Sequence, residues 1–182
     1  MSSLLEYDTE LFLFLNNLGN TSFDSFWLLV SKTFIWIPLY VIFLYLLKTN
    51  FGWRNLAFML LFIALGITIS DQLSNIFKYG IERLRPCHEP SLKGLFREVK
   101  CGGPYGFYSA HASNTFFIAV FMFMHLKKQI ESYALLFLLW AGVVAFSRIY
   151  LGVHYPLDVI YGGLVGGLLG GTFYALSLKT LK

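Results

Sequence analysis

Five long apolar runs dominate the sequence and decide what it can fold into. They cover residues 25–47, 56–78, 109–126, 133–150 and 156–178. A helix needs about 20 apolar residues to cross a bilayer, and lipid offers no partner to an unpaired backbone group. Only 13% of the 182 residues are charged, against about a quarter in soluble domains. The sequence therefore predicts an all-α, polytopic membrane bundle with five spans.

The segment before the first apolar run is too polar to cross a membrane. Residues 4–17 are half apolar and carry Glu6, Asp8 and Glu10. This pattern favours an N-terminal interfacial helix, which brings the total to five or six helices. It has neither the cationic start nor the small-residue cleavage site of a signal peptide. The length suits one membrane bundle, so we expect residues 1–182 to form a single membrane-embedded domain.

Several polar residues lie within or beside the apolar runs without belonging to a motif. Lys32 falls inside the first run, where its ammonium is expected to reach for the interface. Asp71 lies at membrane depth and is expected to face the bundle interior as a hydrogen-bond acceptor, with a functional role left open. His88 and His125 are interpreted as interfacial residues. Arg83 is interpreted as a solvated loop charge that could also touch a lipid headgroup.

The last run contains two rows of glycine. The segment "GGLVGGLLGG", residues 162–171, repeats small residues every four positions along one helical face. Such a face lets another helix approach closely. Packing inside the bundle and homodimerisation through the last helix both fit this pattern, and the sequence does not choose between them.

The positions of lysine and arginine indicate the orientation. Three short segments carry them on the side opposite the acidic N-terminus, namely Lys48 and Arg54, Lys127 and Lys128, and Lys179 and Lys182. Lysine and arginine accumulate on the cytoplasmic side. The loop at 79–108 then faces outward, although it also carries five cations. We expect a multi-pass protein of the bacterial inner (cytoplasmic) membrane, with its active site facing the periplasm or the outside.

Both cysteines lie in this outward loop. Cys87 and Cys101 are 14 residues apart, and such a pair in an extracytoplasmic loop favours a disulfide. Two free thiols remain the alternative. The spacing does not support a zinc site. The net charge of +4 contains no basic tract of the kind that binds nucleic acid, so no nucleic-acid partner is expected.

Three polar segments stand where spans begin or end. These are "KYGIERLRP" after the second run, "FYSAHAS" at the start of the third, and "SRIYLGVHYPLD" between the fourth and the fifth. Antiparallel spans bring all three to the same membrane face. The residues expected to converge there are Lys78, Arg85, Ser109, His111, Arg148, His154 and Asp158.

This set of residues suits phosphoryl transfer. Three fixed cations match a tetrahedral dianion such as phosphate, and Ser109 as a helix N-cap would aim backbone N–H groups at the same anion. Asp158 lies four residues after His154, so it can accept one imidazole N–H while the other nitrogen attacks phosphorus. His111 can protonate the leaving oxygen. The pattern indicates a phosphohistidine intermediate, with no metal and no cofactor.

The ordered motifs resemble those of the type 2 phosphatidic acid phosphatase superfamily of membrane lipid-phosphate phosphatases. The resemblance covers residues 78–158 and includes lysine, six residues, arginine-proline; serine, one residue, histidine; and serine-arginine, five residues, histidine, three residues, aspartate. The family's middle motif commonly contains proline and glycine where this chain has Tyr108 and Ala110. The matching residues are Lys78, Arg85, Pro86, Ser109, His111, Ser147, Arg148, His154 and Asp158.

The resemblance implies a role for each matching residue. His154 would be the nucleophile, Asp158 its orienting partner and His111 the general acid. Phosphate would be held by Lys78, Arg85, Ser109 and Arg148.

Among lipid phosphates, the resemblance favours undecaprenyl diphosphate, followed by phosphatidylglycerol phosphate, phosphatidic acid and lipid A phosphate. The alternatives from another class are a membrane protein with haem bound by His111 and His154, and a membrane protein that only binds anionic lipid.

Overall fold

The computed structural model describes residues 2–180 and confirms an all-α bundle. Short 3₁₀ turns connect some of the helices. Lys182, which supports the predicted orientation, lies outside the described residues. The α-helices are α1 (Ser2–Asn17), α2 (Asp24–Val30), α3 (Ile37–Ile81), α4 (Ala110–Ile130), α5 (Leu135–Tyr150) and α6 (Pro156–Ser177).

Three apolar helical stretches are long enough to cross a membrane: Thr33–Ile81, Ala110–Tyr150 and Pro156–Ser177. The first two contain 49 and 41 residues, which is about twice the length that one crossing requires. Each is interrupted, the first at Gly52 with φ 77° and ψ 172° and the second at Glu131 with φ 49°. These breaks divide the stretches into the five predicted spans.

Contacts along α3 show that the chain reverses at Gly52. Before the break, Phe51 packs on His125 near the end of α4, with ring centroids 5.7 Å apart. After it, Ser74 donates to the Tyr108 carbonyl just before α4 at 3.2 Å. Tyr40, before the break, lines the same cavity as Ile63 and Ile67, which follow it. The two halves of α3 therefore form a hairpin. We call the end of the bundle that holds Tyr108 the site end and the opposite end the far end.

The first apolar run is not one helix as predicted. α2 ends at Val30, and α3 begins only at Ile37. Pro38 lies in the first turn of α3, where a missing N–H costs nothing, and it cannot continue a helix from the preceding turn. Lys32 lies exposed in the break between α2 and α3. The prediction that Lys32 lies inside a span is wrong.

The first glycine row of α6, formed by Gly162, Gly166 and Gly170, packs inside the bundle; the second row is Gly163, Gly167 and Gly171. A Cβ added to Gly166 would lie 2.0 Å from the Ser113 carbonyl oxygen of α4, and one added to Gly170 would lie 2.7 Å from the Phe117 carbonyl oxygen. The absence of side chains therefore lets α4 and α6 approach closely. In the second row, Gly171 has no neighbouring atom within 4 Å. Packing within the bundle is confirmed for the first row, and dimerisation remains a prediction.

Helix α1 lies across the site end with one face buried. Asp8, Phe12 and Asn16 follow a four-residue spacing and are at most 4% exposed. Asn16 donates to the Tyr150 carbonyl at 2.9 Å, which joins α1 to the end of α5. Several other apolar residues of α1 are exposed and can lie on the bilayer surface, namely Leu4, Leu5, Tyr7, Leu11 and Phe14. The N-terminal interfacial helix is confirmed.

Two polar residues within the spans have clear partners. His125 is 6% exposed at the far end, and its Nε2 lies 3.0 Å from the Ser177 hydroxyl. It packs against Phe121, with ring centroids 4.6 Å apart. Aromatic neighbours enclose His125, and its position at the membrane interface stays a prediction. Asp71 accepts a hydrogen bond from Asn114 at 2.8 Å, as its predicted role requires.

Candidate active site

The loop between α3 and α4 folds over the site end. A disulfide joins Cys87 and Cys101, as the sequence favoured. Backbone pairing holds the same region together, because the Arg85 N–H donates to Pro104 O at 2.9 Å and the Gly106 N–H donates to Arg83 O at 2.8 Å. His88 lies exposed beside the disulfide. The bonded sulfurs cannot serve as thiolate ligands, so the group formed by Cys87, His88 and Cys101 does not suit zinc.

Arg85 is enclosed by the loop rather than carried on a helix. α3 ends at Ile81, and Glu82 adopts φ 54°, so Lys78 and Arg85 do not share a continuous helical face. Arg85 Nε donates to the Tyr105 carbonyl at 3.1 Å. A Cβ on Gly102 would lie 2.3 Å from its guanidinium. Burial lowers the pKa of Arg85, and the charge of Asp158 opposes that change.

His154 and Asp158 form a buried pair at the start of α6. His154 Nδ1 lies 3.3 Å from Asp158 Oδ2, and the two side chains are 2% and 0% exposed. Burial lowers the pKa of His154 well below its usual 6.5, and the nearby charges of Arg148, Arg85 and Lys78 lower it further. The ring is therefore neutral at neutral pH. A neutral imidazole keeps a lone pair available for attack.

Ser109 caps α4 and joins it to α6. Its hydroxyl accepts a hydrogen bond from the Ala112 N–H at 3.4 Å, as expected of an N-cap. Its own N–H donates to the Asp158 carbonyl at 3.0 Å. Gly162 permits this approach, because a Cβ there would lie 2.5 Å from the Ser109 carbonyl oxygen. The start of α4 is thereby fixed beside the His154–Asp158 pair.

His111 borders a cavity of about 360 Å³ at the start of α4. The walls of this cavity are mainly apolar and come from both halves of α3 together with α4 and α5. Polar residues lie where the cavity meets the α2–α3 break. Its lining includes Ser31, Lys32, Trp36, Tyr40, Ile63, Ile67, His111, Asn114, Ile118 and Val144.

Arg148 is 4% exposed at the end of α5. One of its terminal nitrogens donates to the Ser31 hydroxyl. Its Nε is buried and finds no hydrogen-bond partner among residues 2–180. A buried guanidinium N–H without a partner costs free energy unless a ligand accepts from it. A bound anion could accept a hydrogen bond from this atom.

The seven predicted residues converge. His154 interacts electrostatically with Arg148, Arg85 and Lys78. His111 interacts with Arg148, His154 and Lys78. Ser109 reaches the same place through its backbone bond to Asp158. The structure thus brings together Lys78, Arg85, Ser109, His111, Arg148, His154 and Asp158.

The sequence interpretation of Arg83 as a solvated loop charge is wrong. Its side chain is 17% exposed and bridges two carboxylates, at 2.9 Å from Asp158 Oδ1 and 2.6 Å from Asp8 Oδ2. Both partners are distant in the chain, so a pattern of neighbouring residues carries no sign of them. The sequence offers one hint that Arg83 belongs to the site, because it stands two residues before the motif residue Arg85.

Two lysines near Lys78, Arg85 and Arg148, which we call the cation cluster, were not predicted as site residues. The Lys100 backbone N–H donates to the Leu151 carbonyl at 3.1 Å, just beyond the end of α5. Burial lowers the pKa of Lys100, and the charges of Arg148, Lys32 and Arg85 lower it further. Within residues 2–180, neither Lys32 nor Lys100 forms an ion pair with a carboxylate. The site end therefore carries more positive charge than its motifs account for.

Spans that converge on two histidines and a group of cations define an integral membrane enzyme whose pocket suits a phosphate group. The model of the PAP2 superfamily matches residues 57–182, and the chain belongs to this superfamily. It is a membrane lipid phosphatase. This membership agrees with the motif resemblance. It accounts for the histidines and the cations without the haem-binding or lipid-binding alternatives.

Named relatives and a solved structure resemble most of the chain. The lipid A 4'-phosphatase of Bacteroides thetaiotaomicron is 37% identical over 180 residues, covering 97% of this chain and 79% of the relative. The undecaprenyl-diphosphatase of Sulfolobus acidocaldarius is 28% identical over 163 residues, covering 88% of this chain and 73% of the relative. The crystal structure of Aquifex aeolicus LpxE superposes with a TM-score of 0.69 at 26% identity, covering 94% of each chain.

Proposed function

We propose that the enzyme removes phosphate from a lipid in two steps through His154. In the first step, His154 Nε2 attacks phosphorus while His111 gives a proton to the oxygen that leaves with the lipid. In the second step, His111 takes a proton from water, and the resulting hydroxide releases phosphate from the histidine. Asp158 accepts the Nδ1–H of His154 and stabilises the imidazolium that develops.

The phosphate group would be held by the cations and the start of α4. Lys78, Arg85 and Arg148 supply positive charge, and Ser109 supplies a hydroxyl at a helix N-terminus. The unpartnered Nε of buried Arg148 is the observation that carries this proposal, because a phosphate oxygen would satisfy it. The apolar cavity beside His111 supports a lipid substrate, since an acyl chain can lie along its walls.

For the substrate, we place the phosphate of lipid A first. The support is the 37% identity to a lipid A 4'-phosphatase over nearly the whole chain. Undecaprenyl diphosphate, which the sequence interpretation favoured, comes second and is supported by the more distant undecaprenyl-diphosphatase. The extra cations Lys32 and Lys100 favour lipid A and undecaprenyl diphosphate over phosphatidic acid, which is a simple phosphate monoester. The two favoured lipids carry further negative charge.

A panel of lipid phosphates assayed side by side tests this order. Purified protein in detergent micelles would be given lipid A, undecaprenyl diphosphate, phosphatidylglycerol phosphate and phosphatidic acid, and phosphate release would be measured. We expect the highest kcat/KM for lipid A, and no release from any substrate by His154→Ala. A highest kcat/KM for phosphatidic acid would contradict the proposed order. Phosphate release by His154→Ala equal to the wild type would contradict the mechanism.

The proposed location is a bacterial inner membrane with the site end facing the periplasm or the outside. The Cys87–Cys101 disulfide supports this, since disulfides persist in oxidising compartments. In intact cells, a membrane-impermeant lysine reagent should modify exposed Lys93 of the site-end loop before it modifies Lys128 of the far end. Modification in the reverse order would place the site in the cytoplasm.

A further inference from the structure

The two oxygens of the Asp158 carboxylate have different partners. Oδ2 lies 3.3 Å from His154 Nδ1 and accepts the Tyr155 N–H at 3.1 Å. Oδ1 accepts a hydrogen bond from Arg83 at 2.9 Å. Arg83 therefore contacts the oxygen that His154 does not use. It can fix the direction of the carboxylate without competing for the same atom.

A second carboxylate holds Arg83 from the other side. Asp8 of α1 accepts from Arg83 through Oδ2 at 2.6 Å and from the Leu157 N–H through Oδ1 at 2.8 Å. Leu157 belongs to the first turn of α6, so Asp8 caps that helix from outside. The Arg83 guanidinium also lies 4.0 Å above the Tyr155 ring. Three contacts thus leave the guanidinium little freedom.

The charges of this group support the chemistry assigned to His154. A buried carboxylate needs a neighbouring cation to remain ionised. Asp8 and Asp158 contribute two negative charges and Arg83 one positive charge, which leaves one negative charge facing the imidazole. An imidazolium forming on His154 would neutralise that charge.

We propose that Arg83 is a positioning residue that keeps Asp158 ionised and directed at His154, and that Asp8 holds Arg83 in place for this role. This inference rests on the proposed role of His154 as the nucleophile. The Arg83–Asp8 pair does not touch the phosphate in this scheme. Its loss should lower the rate of the chemical step more than it weakens substrate binding.

The chain offers a matched control in Arg97. Like Arg83, Arg97 lies in the loop between α3 and α4, pairs with an aspartate, here Asp24 at 2.5 Å, and lies over a tyrosine, here Tyr150 at 5.3 Å. It has no contact with Asp158 or His154. A general loosening of the loop should affect both arginine variants alike, whereas loss of Asp158 positioning should affect only the Arg83 variants.

The experiment compares kcat and KM for the wild type, Arg83→Gln, Arg83→Lys, Asp8→Asn and Arg97→Gln. Each is assayed with the lipid phosphate that the wild type hydrolyses best and with p-nitrophenyl phosphate. For Arg83→Gln we expect kcat to fall about 10- to 100-fold on both substrates, with KM within about 3-fold. Arg83→Lys should recover part of kcat, and Arg97→Gln should stay within about 3-fold of the wild type.

Equal losses in Arg83→Gln and Arg97→Gln would overturn the inference, as would a raised KM with unchanged kcat. If Arg83→Gln shows no melting transition, Asp8→Asn decides, because it leaves the Arg83–Asp158 bond in place. For Asp8→Asn we expect a smaller fall of kcat than the one expected for Arg83→Gln. A kcat equal to that of the wild type would overturn the inference.

The two substrates separate failure of this inference from failure of the proposed function. A wild type active on p-nitrophenyl phosphate but on no lipid phosphate would contradict the proposed substrate class, while Arg83 would still be judged by kcat. A wild type inactive on both would overturn the proposed function and this inference together.

Discussion

His154 Nδ1 lies 3.3 Å from Asp158 Oδ2, and both side chains are shielded from solvent. If this pair performs the nucleophilic step, His154→Ala should lose at least about 1,000-fold in kcat. Asp158→Asn should lose about 100- to 10,000-fold, because a neutral amide does not stabilise the imidazolium and can turn its NH₂ group toward Nδ1. Phosphate release measures both. His88→Ala, on the exposed loop, should keep kcat within about 3-fold.

Rapid mixing provides a direct test of the same pair. Substrate carrying labelled phosphate, followed by trapping without acid, should place the label on His154. Label on Ser109 or His111 would contradict the assignment. The label should also disappear in His154→Ala, since no other residue is proposed to carry the phosphoryl group.

The lowered pKa of His154 sets an expected pH dependence. Burial and neighbouring cations move this pKa well below 6.5, and only the neutral ring can attack. As the pH falls, the nucleophile is lost only when the pH passes the lowered pKa. Single-turnover phosphoenzyme formation should therefore fall by less than about 3-fold when the pH is lowered from about 7 to about 6. A tenfold fall over that interval would contradict the prediction.

Chelation of divalent ions should leave the activity intact. Asp158 already contacts His154, Tyr155 and Arg83, and the cations Lys78, Arg85 and Arg148 near His154 repel a metal ion. The donor set therefore suits an anion rather than a metal. Phosphate release with and without EDTA should agree, and a requirement for added Mg²⁺ in the chemical step would contradict the proposed mechanism.

Lys32 and Lys100 should affect binding more than turnover. Both lie near the cation cluster without a carboxylate partner in the described chain, so they can attract a substrate with several negative charges. Lys32→Ala and Lys100→Ala should each raise KM about 3- to 10-fold at low salt, and less at high salt. Lys93 is exposed on the same loop as Lys100, and Lys93→Ala should leave KM unchanged. A fall in kcat alone would contradict this role.

The close contact between α4 and α6 should not tolerate a methyl group. Gly166→Ala would place a Cβ 2.0 Å from the Ser113 carbonyl oxygen, which should lower the free energy of unfolding by about 1–3 kcal/mol. Gly171→Ala meets no atom within 4 Å and should have little effect on stability. Melting in detergent compares the two variants, and equal melting temperatures would contradict the packing argument.

The features that the sequence predicted are those encoded by neighbouring residues. The apolar runs specify the crossings because each crossing must satisfy its own backbone in lipid. The pairing of His154 with Asp158 follows from their spacing over one helical turn. The convergence of the three motifs required only that the spans alternate in direction.

The features that were missed depend on contacts between distant segments. Arg83 lies 75 residues from both Asp8 and Asp158, so its neighbours in the sequence suggest only a loop charge. The enclosure of His125 depends on Ser177 and on aromatic rings from three helices. The break at Lys32 had a local sign in Pro38, which the continuous apolar run obscured.

The capping of α6 by Asp8 constrains the order in which this protein can mature. Leu157 is 149 residues from Asp8, so the Asp8 carboxylate gains that partner only after all the residues between them have been synthesised. Polypeptides interrupted before residue 154 lack His154, Asp158 and the cap together. Partly synthesised chains would therefore leave the phosphates of surrounding lipids untouched.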